Sequence, residues 1–288
     1  MANMSHISTN SPHAWILAAR PKTLTGAAVP VMIGISAAWA DGFFRPVPAL
    51  LCFLFAFFMQ IDANFINDYY DFRKGLDDEK RLGPKRACAE GWITLPAMRR
   101  GIVCTTLLVW YGGWTMVLVG VCCVVFCFLY TTCMARLGLG DLLVLVFFGL
   151  VPVGATYYLQ SGTVVPEVWA LSLACGLVID CLLVVNNYRD RDNDKAGRKI
   201  TLVVRIGEKA AENLYLWLGI AAVGLCQTMW LSGKPVAALL PVCYLIPHTV
   251  TWRRMTRLKR GRELNGVLGE TARNIFLFGA LLSIGLFI

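Results

Sequence analysis

Apolar runs of about the length that crosses a bilayer, roughly 20 residues, follow one another along this chain and leave little room for anything else. They fall at about 14–38, 47–67, 97–112, 114–134, 140–160, 166–187, 211–231, 235–252 and 268–288. The expected fold is therefore all-α, a polytopic membrane bundle of nine transmembrane helices. The third and fourth runs share only 37 residues, Ala97 to Cys133, with Gly112-Gly113 as the turn between them, so both must be short or tilted. Apolar residues make up 57% of the chain and charged residues 16%, and the mean hydropathy is +0.60, a composition that excludes an ordinary soluble domain. No polar stretch is long enough for a second domain, so residues 1–288 read as a single membrane unit.

The placement of Lys and Arg sets the expected orientation. Of 27 basic residues, 25 fall in five alternate loops or ends, and only Arg45 and Lys234 lie on the other side. By the positive-inside rule the N-terminus and the loops 68–96 and 188–210 are cytoplasmic, and the C-terminus is outside. The expected location is the cytoplasmic (inner) membrane. The net charge of +9 is thus a matter of topology and of contact with lipid headgroups, and nucleic acid is not an expected partner. Residues 1–13 are polar and lack a basic region followed by an apolar stretch, so no cleavable signal peptide is expected.

Two places break the apolar pattern. Asn64, Asn67, Asp68 and Asp71 sit at the end of the second run, and Asn186, Asn187, Asp190 and Asp194 at the end of the sixth. Asn67-x-x-x-Asp71 matches Asn186-x-x-x-Asp190 at a distance of 119 positions, so one device occurs twice. On a helix Asn64, Asp68 and Asp71 form one stripe, and Asn186, Asp190 and Asp194 another. Carboxylates a turn apart repel unless a cation lies between them. Two such stripes with interleaved amide oxygens make a hard, all-oxygen donor set, suited to Mg2+ shared with a diphosphate. The alternative is a pair of solvated helix ends with capping residues; the duplication favours a site. Basic residues follow each cluster, Lys80, Arg81, Lys85 and Arg86 in one loop and Lys195, Arg198, Lys199 and Arg205 in the other, placed to hold phosphate oxygens directly.

Asp62 and Asp180 lie within the spans. Each either lines a polar route and touches a substrate head, or is a neutral, hydrogen-bonded structural carboxyl. Of eleven cysteines, ten fall in or beside apolar runs and read as small apolar fillers. Cys88 alone lies in a polar loop, where an impermeant thiol reagent is expected to reach it.

With Asn67-Asp68-Tyr-Tyr-Asp71 and Asp190-Arg-Asp-Asn-Asp194 in place, the chain resembles the UbiA superfamily of intramembrane aromatic prenyltransferases. Within it the chain is most similar to the 1,4-dihydroxy-2-naphthoate polyprenyltransferases of menaquinone biosynthesis. That similarity rests on Asp77, Arg81-Leu-Gly-Pro-Lys85-Arg86, Gly91-x-Ile93-Thr94 and Lys199-Ile-Thr201-Leu-Val-Val-Arg205-Ile-Gly207. The superfamily pattern often has a third aspartate four residues after Asp71; here that position is Gly75 and the acid is Asp77, a displacement typical of the naphthoate branch.

The resemblance implies a transfer from a polyprenyl diphosphate to 1,4-dihydroxy-2-naphthoate with loss of CO2 and diphosphate. Asp68, Asp71, Asp190 and Asp194 would act as catalytic Mg2+ ligands. Asn64, Asn67, Asp77, Arg81, Lys85, Arg86, Asn186, Asn187, Lys199 and Arg205 would bind substrate. Tyr69, Tyr70, Tyr130, Tyr157, Tyr158 and Tyr188 are candidates to face the allylic cation. Other acceptors, 4-hydroxybenzoate or homogentisate, remain as alternatives. A transporter is a more distant reading, since transporter sites sit at mid-membrane in inverted repeats. A lipid phosphotransferase would need an Asp-Gly-x-x-Ala-Arg opening that is absent.

Overall fold

The computed structural model describes residues 7–73, 75, 82–83, 85–110, 138–197 and 199–288. Among these every regular element is helical. We number them α1 (Pro12–Ala19), α2 (Leu24–Ala40), α3 (Pro46–Arg73), α4 (Leu95–Trp110), α5 (Gly140–Ser161), α6 (Pro166–Ala196), α7 (Leu202–Ile206), α8 (Glu208–Cys226), α9 (Pro235–Leu258) and α10 (Leu264–Phe287). Five of them, α3, α5, α6, α9 and α10, are long and apolar enough to cross a membrane, and α1 with α2 adds a sixth if the broken pair is one span. The expected span at 114–134 lies outside the described residues.

The run expected as one helix over 14–38 is interrupted. Arg20 adopts a left-handed conformation with φ 52°, and α1 stops there. Asn64 holds this break: its Nδ2 donates to the Ala19 carbonyl at 2.9 Å and to Thr23 Oγ1 at 3.0 Å. A backbone carbonyl freed by the interruption thereby gains a donor.

The chain divides into two compact units. The first comprises Met1–Leu24 and Phe57–Phe128. Its core joins Ala14 and Ala18 of α1, Phe65 of α3, Ala97 and Met98 of α4, and Ala87, Cys88 and Ile93 from the intervening loop. Small residues let α1 and α4 approach closely: a Cβ on Gly101 would lie 2.6 Å from the Trp15 ring. Ser11 caps α1 by accepting from the Ala14 amide, and Asn10 ties the chain before it to Trp92 and Thr94.

The second unit comprises Thr25–Ala56 and Leu129–Ile288. Its centre is α6, whose face of Val168, Leu171, Ala174, Cys175 and Val178 is buried among residues of α2, α5, α8, α9 and α10. Gly149 and Gly176 bring α5 and α6 into backbone contact; a Cβ on Gly149 would lie 2.5 Å from the Ser172 carbonyl. The π-helical segment Leu145–Leu150 occurs at this contact. A helix of 31 residues is about 46 Å long at 1.5 Å per residue. That exceeds a hydrocarbon layer of about 30 Å, so the last turns of α6, which carry Asn186 to Asp194, project beyond it.

Candidate active site

In the second unit the polar end of α6 is organised by a residue that the sequence reading left out. Arg189 is buried, and its guanidinium forms a fork on Asp190, Nε to Oδ1 at 2.8 Å and Nη2 to Oδ2 at 2.5 Å. Nη2 also donates to Asn186 Oδ1 at 2.9 Å, and Nη1 to Asn265 Oδ1 of α10 at 2.8 Å. Arg189 therefore neutralises Asp190 within the acidic stripe. Its position one residue before Asp190 and three after Asn186 was the available signal. One turn on, Asp194 accepts from Lys199 Nζ at 3.3 Å through Oδ1, while its Oδ2 is buried with no hydrogen-bond partner among the described residues.

The neighbouring faces of α6 do other work. Arg191 stacks over Tyr188 at 4.2 Å and donates to Glu208 Oε2 at 2.7 Å, fastening the start of α8. The Tyr188 ring is thus covered, and its hydroxyl donates to Glu212. Asp192 points outward to Arg260 in an exposed pair at 3.3 Å. The guanidinium of Arg191 holds the Glu208 carboxyl below its ordinary range.

In the first unit the acidic end of α3 clasps the loop that follows it. Asp68 is 1% exposed; Oδ2 accepts from the Ala87 amide and Oδ1 from the Cys88 amide, both at 2.9 Å. Asp71 accepts from Arg86 Nη2 at 2.8 Å. Lys85 pairs with Glu90 at 2.7 Å instead. Cys88 is buried against Phe65, Ile93 and Met98, which corrects the expectation of an accessible loop thiol: the two amide bonds to Asp68 pull residues 87–88 into the core.

The two carboxyls inside the spans part ways. Asp62 accepts from Thr105 Oγ1 of α4 at 2.6 Å, in line with the structural reading. Asp180 keeps Oδ1 buried with no hydrogen-bond partner among the described residues. Among the aromatic candidates, Tyr69 and Tyr70 pack edge to face at 5.2 Å beside the first motif, with Arg73 over Tyr69. Tyr157 lies at the far end of α5, where its hydroxyl donates to Asp41, which also pairs with Lys234. Tyr158 is exposed. Asp77, Arg81 and Tyr130 lie outside the described residues. Asn187 and Lys199 line one small cavity.

These features meet known proteins as follows. The model of the UbiA prenyltransferase family matches residues 27–265. The chain is 36% identical over 234 residues to a 1,4-dihydroxy-2-naphthoate octaprenyltransferase of Escherichia coli, covering 75% of each chain. It is 33% identical to the protein of the same name from Mycobacterium tuberculosis, covering 89% of this chain and 91% of that one. Two solved structures share the fold. One, described under digeranylgeranylglyceryl phosphate synthase in membranes, has a TM-score of 0.62 at 17% identity and covers 96% of this chain and 98% of that one. The other, the apo structure of a UbiA homolog from Aeropyrum pernix K1, has a TM-score of 0.66 at 16% identity, with 90% and 96% covered. A family model spanning most of the chain, and relatives this similar over most of their length, identify this multi-pass helical protein as a member of the UbiA prenyltransferase family.

Proposed function

We propose that the protein transfers a polyprenyl group from an all-trans-polyprenyl diphosphate to 1,4-dihydroxy-2-naphthoate, releasing CO2 and diphosphate and giving a demethylmenaquinol. The observation that carries this reading is the 36% identity to a naphthoate octaprenyltransferase over three quarters of both chains. The duplicated acidic motif, with basic residues after each copy, supports the same chemistry.

Departure of an allylic diphosphate requires its developing charge to be neutralised. Lys199 and Arg86, each already beside a motif carboxylate, are the cations to do this on phosphate oxygens. Among the described residues no three metal-binding side chains converge into a cage. Mg2+ does not require one, since it is commonly held by one or two carboxylates together with substrate phosphates. The Oδ2 atom of Asp194 is an oxygen donor of the right kind, buried and without a hydrogen-bond partner among the described residues. Asp71 engages Arg86 through one oxygen only, whereas both oxygens of Asp68 and of Asp190 accept hydrogen bonds and would bind a metal through their remaining lone pairs. On this reading Asp194 and Asp71 offer the freer oxygens, while Asp68 and Asp190, the latter with Arg189, hold their motifs in shape as well as offering lone pairs. When bound, the ion would supply Lewis-acid stabilisation of the leaving diphosphate. The isoprenoid tail would lie along apolar helix faces open to lipid. We place both motifs on the cytoplasmic side of the inner membrane in a nine-span topology, on the strength of the Lys and Arg distribution.

The test is to incubate the purified protein with Mg2+, a polyprenyl diphosphate and each aromatic acid in turn, and to weigh the products. Attack on the naphthoate carbon that bears the carboxylate yields a prenylated naphthalenediol lacking CO2. A benzoate enzyme would keep its carboxyl. Formation of a prenylated benzoate, with no reaction on the naphthoate, would reject this assignment.

A further inference from the structure

Asp141, the second residue of α5, belongs to neither acidic motif, yet its environment calls for a ligand. The residue is 8% exposed, and both carboxylate oxygens are buried with no hydrogen-bond partner among the described residues. A carboxyl group removed from water without donors is strongly disfavoured, so such an atom pair in a folded chain points to a missing donor. Asp141 lines a small cavity with Asn187, Lys199, Thr201 and Gly138, with room for about one water-sized group, roughly 10 Å3. Asn187 belongs to the second motif and Lys199 is bonded to Asp194, so the cavity abuts the candidate active site. Gly138 (φ +72°) makes the turn before α5 and brings it against the 200–202 backbone, where a Cβ would lie 3.2 Å from the Ile200 carbonyl. Asp180 of α6 is within Coulombic reach of Asp141, and its Oδ1 likewise has no hydrogen-bond partner among the described residues.

The occupant must bring a hydrogen-bond donor. A diphosphate brings negative charge and fails this requirement. A metal ion such as Mg2+, with the waters it retains, is larger than a space of roughly 10 Å3. A water fits the space and brings donors; the hydroxyl of an aromatic ring does the same with the ring itself outside the cavity, displacing that water, and an acceptor methylated at that hydroxyl separates the two. We propose that Asp141 is a catalytic residue that accepts a hydrogen bond from the acceptor hydroxyl adjacent to the ring carbon being prenylated, and takes its proton as the new bond forms. This rests on the assignment of a dihydroxynaphthoate acceptor above.

The electrons balance with no further reagent. The C–O bond of the allylic diphosphate breaks and diphosphate leaves with the pair. A ring π pair forms the C–C bond at the carbon bearing the carboxylate. The O–H pair of the adjacent hydroxyl becomes the second bond of a carbonyl, and the proton passes to Asp141. The product is a β-keto carboxylate, which loses CO2. The pair from the broken C–C bond restores the aromatic ring, and the carbonyl electrons return to oxygen, which takes the proton back from Asp141. The carboxyl ends as it began.

The test uses the full-length protein and its Asp141→Asn and Asp141→Glu variants, with Mg2+ and a fixed polyprenyl diphosphate while the naphthoate is varied. Asp141→Asn keeps the shape of the side chain and should lower kcat/KM for the naphthoate by about 100-fold, the scale of a lost proton-transfer group. Inhibition by inorganic pyrophosphate should be unchanged, because the donor site is intact. Asp141→Glu, which keeps the carboxylate, should recover part of the loss. A second readout is the naphthoate whose adjacent hydroxyl is methylated: the wild type should bind it far more weakly than the free hydroxyl compound, and Asp141→Asn should lose that discrimination. Naphthoate turnover in Asp141→Asn within about threefold of wild type, or an equal weakening of pyrophosphate, would overturn the proposal. If the wild type prenylates a benzoate and not the naphthoate, it is the acceptor assignment that fails, and the same comparison run on that phenol decides the role of Asp141 independently.

Discussion

The carboxylate of Asp68 and the backbone of Cys88 are joined by a hydrogen bond of 2.9 Å, with a second from the Ala87 amide to the other carboxylate oxygen. A residue placed by its motif among the Mg2+ ligands is also the anchor that folds the following loop back onto α1 and α4. Replacing Asp68 by Ala leaves two amides without their acceptor, at a cost of about 1–3 kcal/mol for each that stays buried. The loop should therefore loosen and Cys88 should become reactive. Mass-spectrometric thiol labelling of the folded protein should show Cys88 protected in wild type and modified in Asp68→Ala. Equal protection in both would refute the anchoring role.

Because Cys88 is buried, orientation must be read elsewhere. Asp192, with a side chain 62% exposed, and Leu231, 90% exposed, lie on opposite ends of the expected topology. Cysteines placed there by Asp192→Cys and Leu231→Cys should label with an impermeant reagent from opposite faces of the membrane, position 192 from the cytoplasm. Labelling of both from one face would contradict the distribution of Lys and Arg.

The helices were legible because their signal is long and local: α3, α5, α6, α9 and α10 each cover an apolar run with a shift of a few residues at the ends. The break at Arg20 was not, because it depends on Asn64, 44 positions away in sequence, supplying donors across the turn. Asn64 shared a stripe with Asp68 and Asp71, and helical periodicity reports the face of a residue without reporting what is packed on that face. Arg189 was missed for a related reason. Its charge was absorbed into the loop's basic count, whereas its four contacts turn inward. The orphaned oxygens of Asp141 left no trace in a run that is otherwise apolar.

The fork of Arg189 on Asp190 leads to a graded set of losses. Asp190→Asn removes a charge that Arg189 requires and should lower prenyl transfer by about 100-fold or more. Arg189→Lys keeps the charge but not the planar fork to Asp190, Asn186 and Asn265, and should also be severely impaired. Asp192→Asn, on the outward face, should stay within about threefold of wild type. EDTA should abolish turnover of the wild type and Mg2+ restore it. Near-normal turnover in Asp190→Asn would mean that the second motif does not act as described.

Acid sensitivity should arise at Glu208. Its carboxyl accepts from Arg191 at 2.7 Å, with Lys259 at 3.8 Å and Arg260 nearby, and these cations hold its pKa below the ordinary value. A group with a lowered pKa in the folded state stabilises that state fully above its unfolded value, about 4.3 for a glutamate, and the contribution disappears as the pH falls through the folded value. Losing it strands a second group: Arg191 is buried, and among the described residues Glu208 is the acceptor of its Nη2. Thermal unfolding of the detergent-solubilised protein should therefore show wild type more stable than Glu208→Gln at pH 7, with the gap constant down to about pH 5 and closing below about pH 4. A gap that widened on acidification would have the wrong sign for a carboxylate stabilised in its charged form, and would show that Glu208 does not fasten α8 to α6 through Arg191.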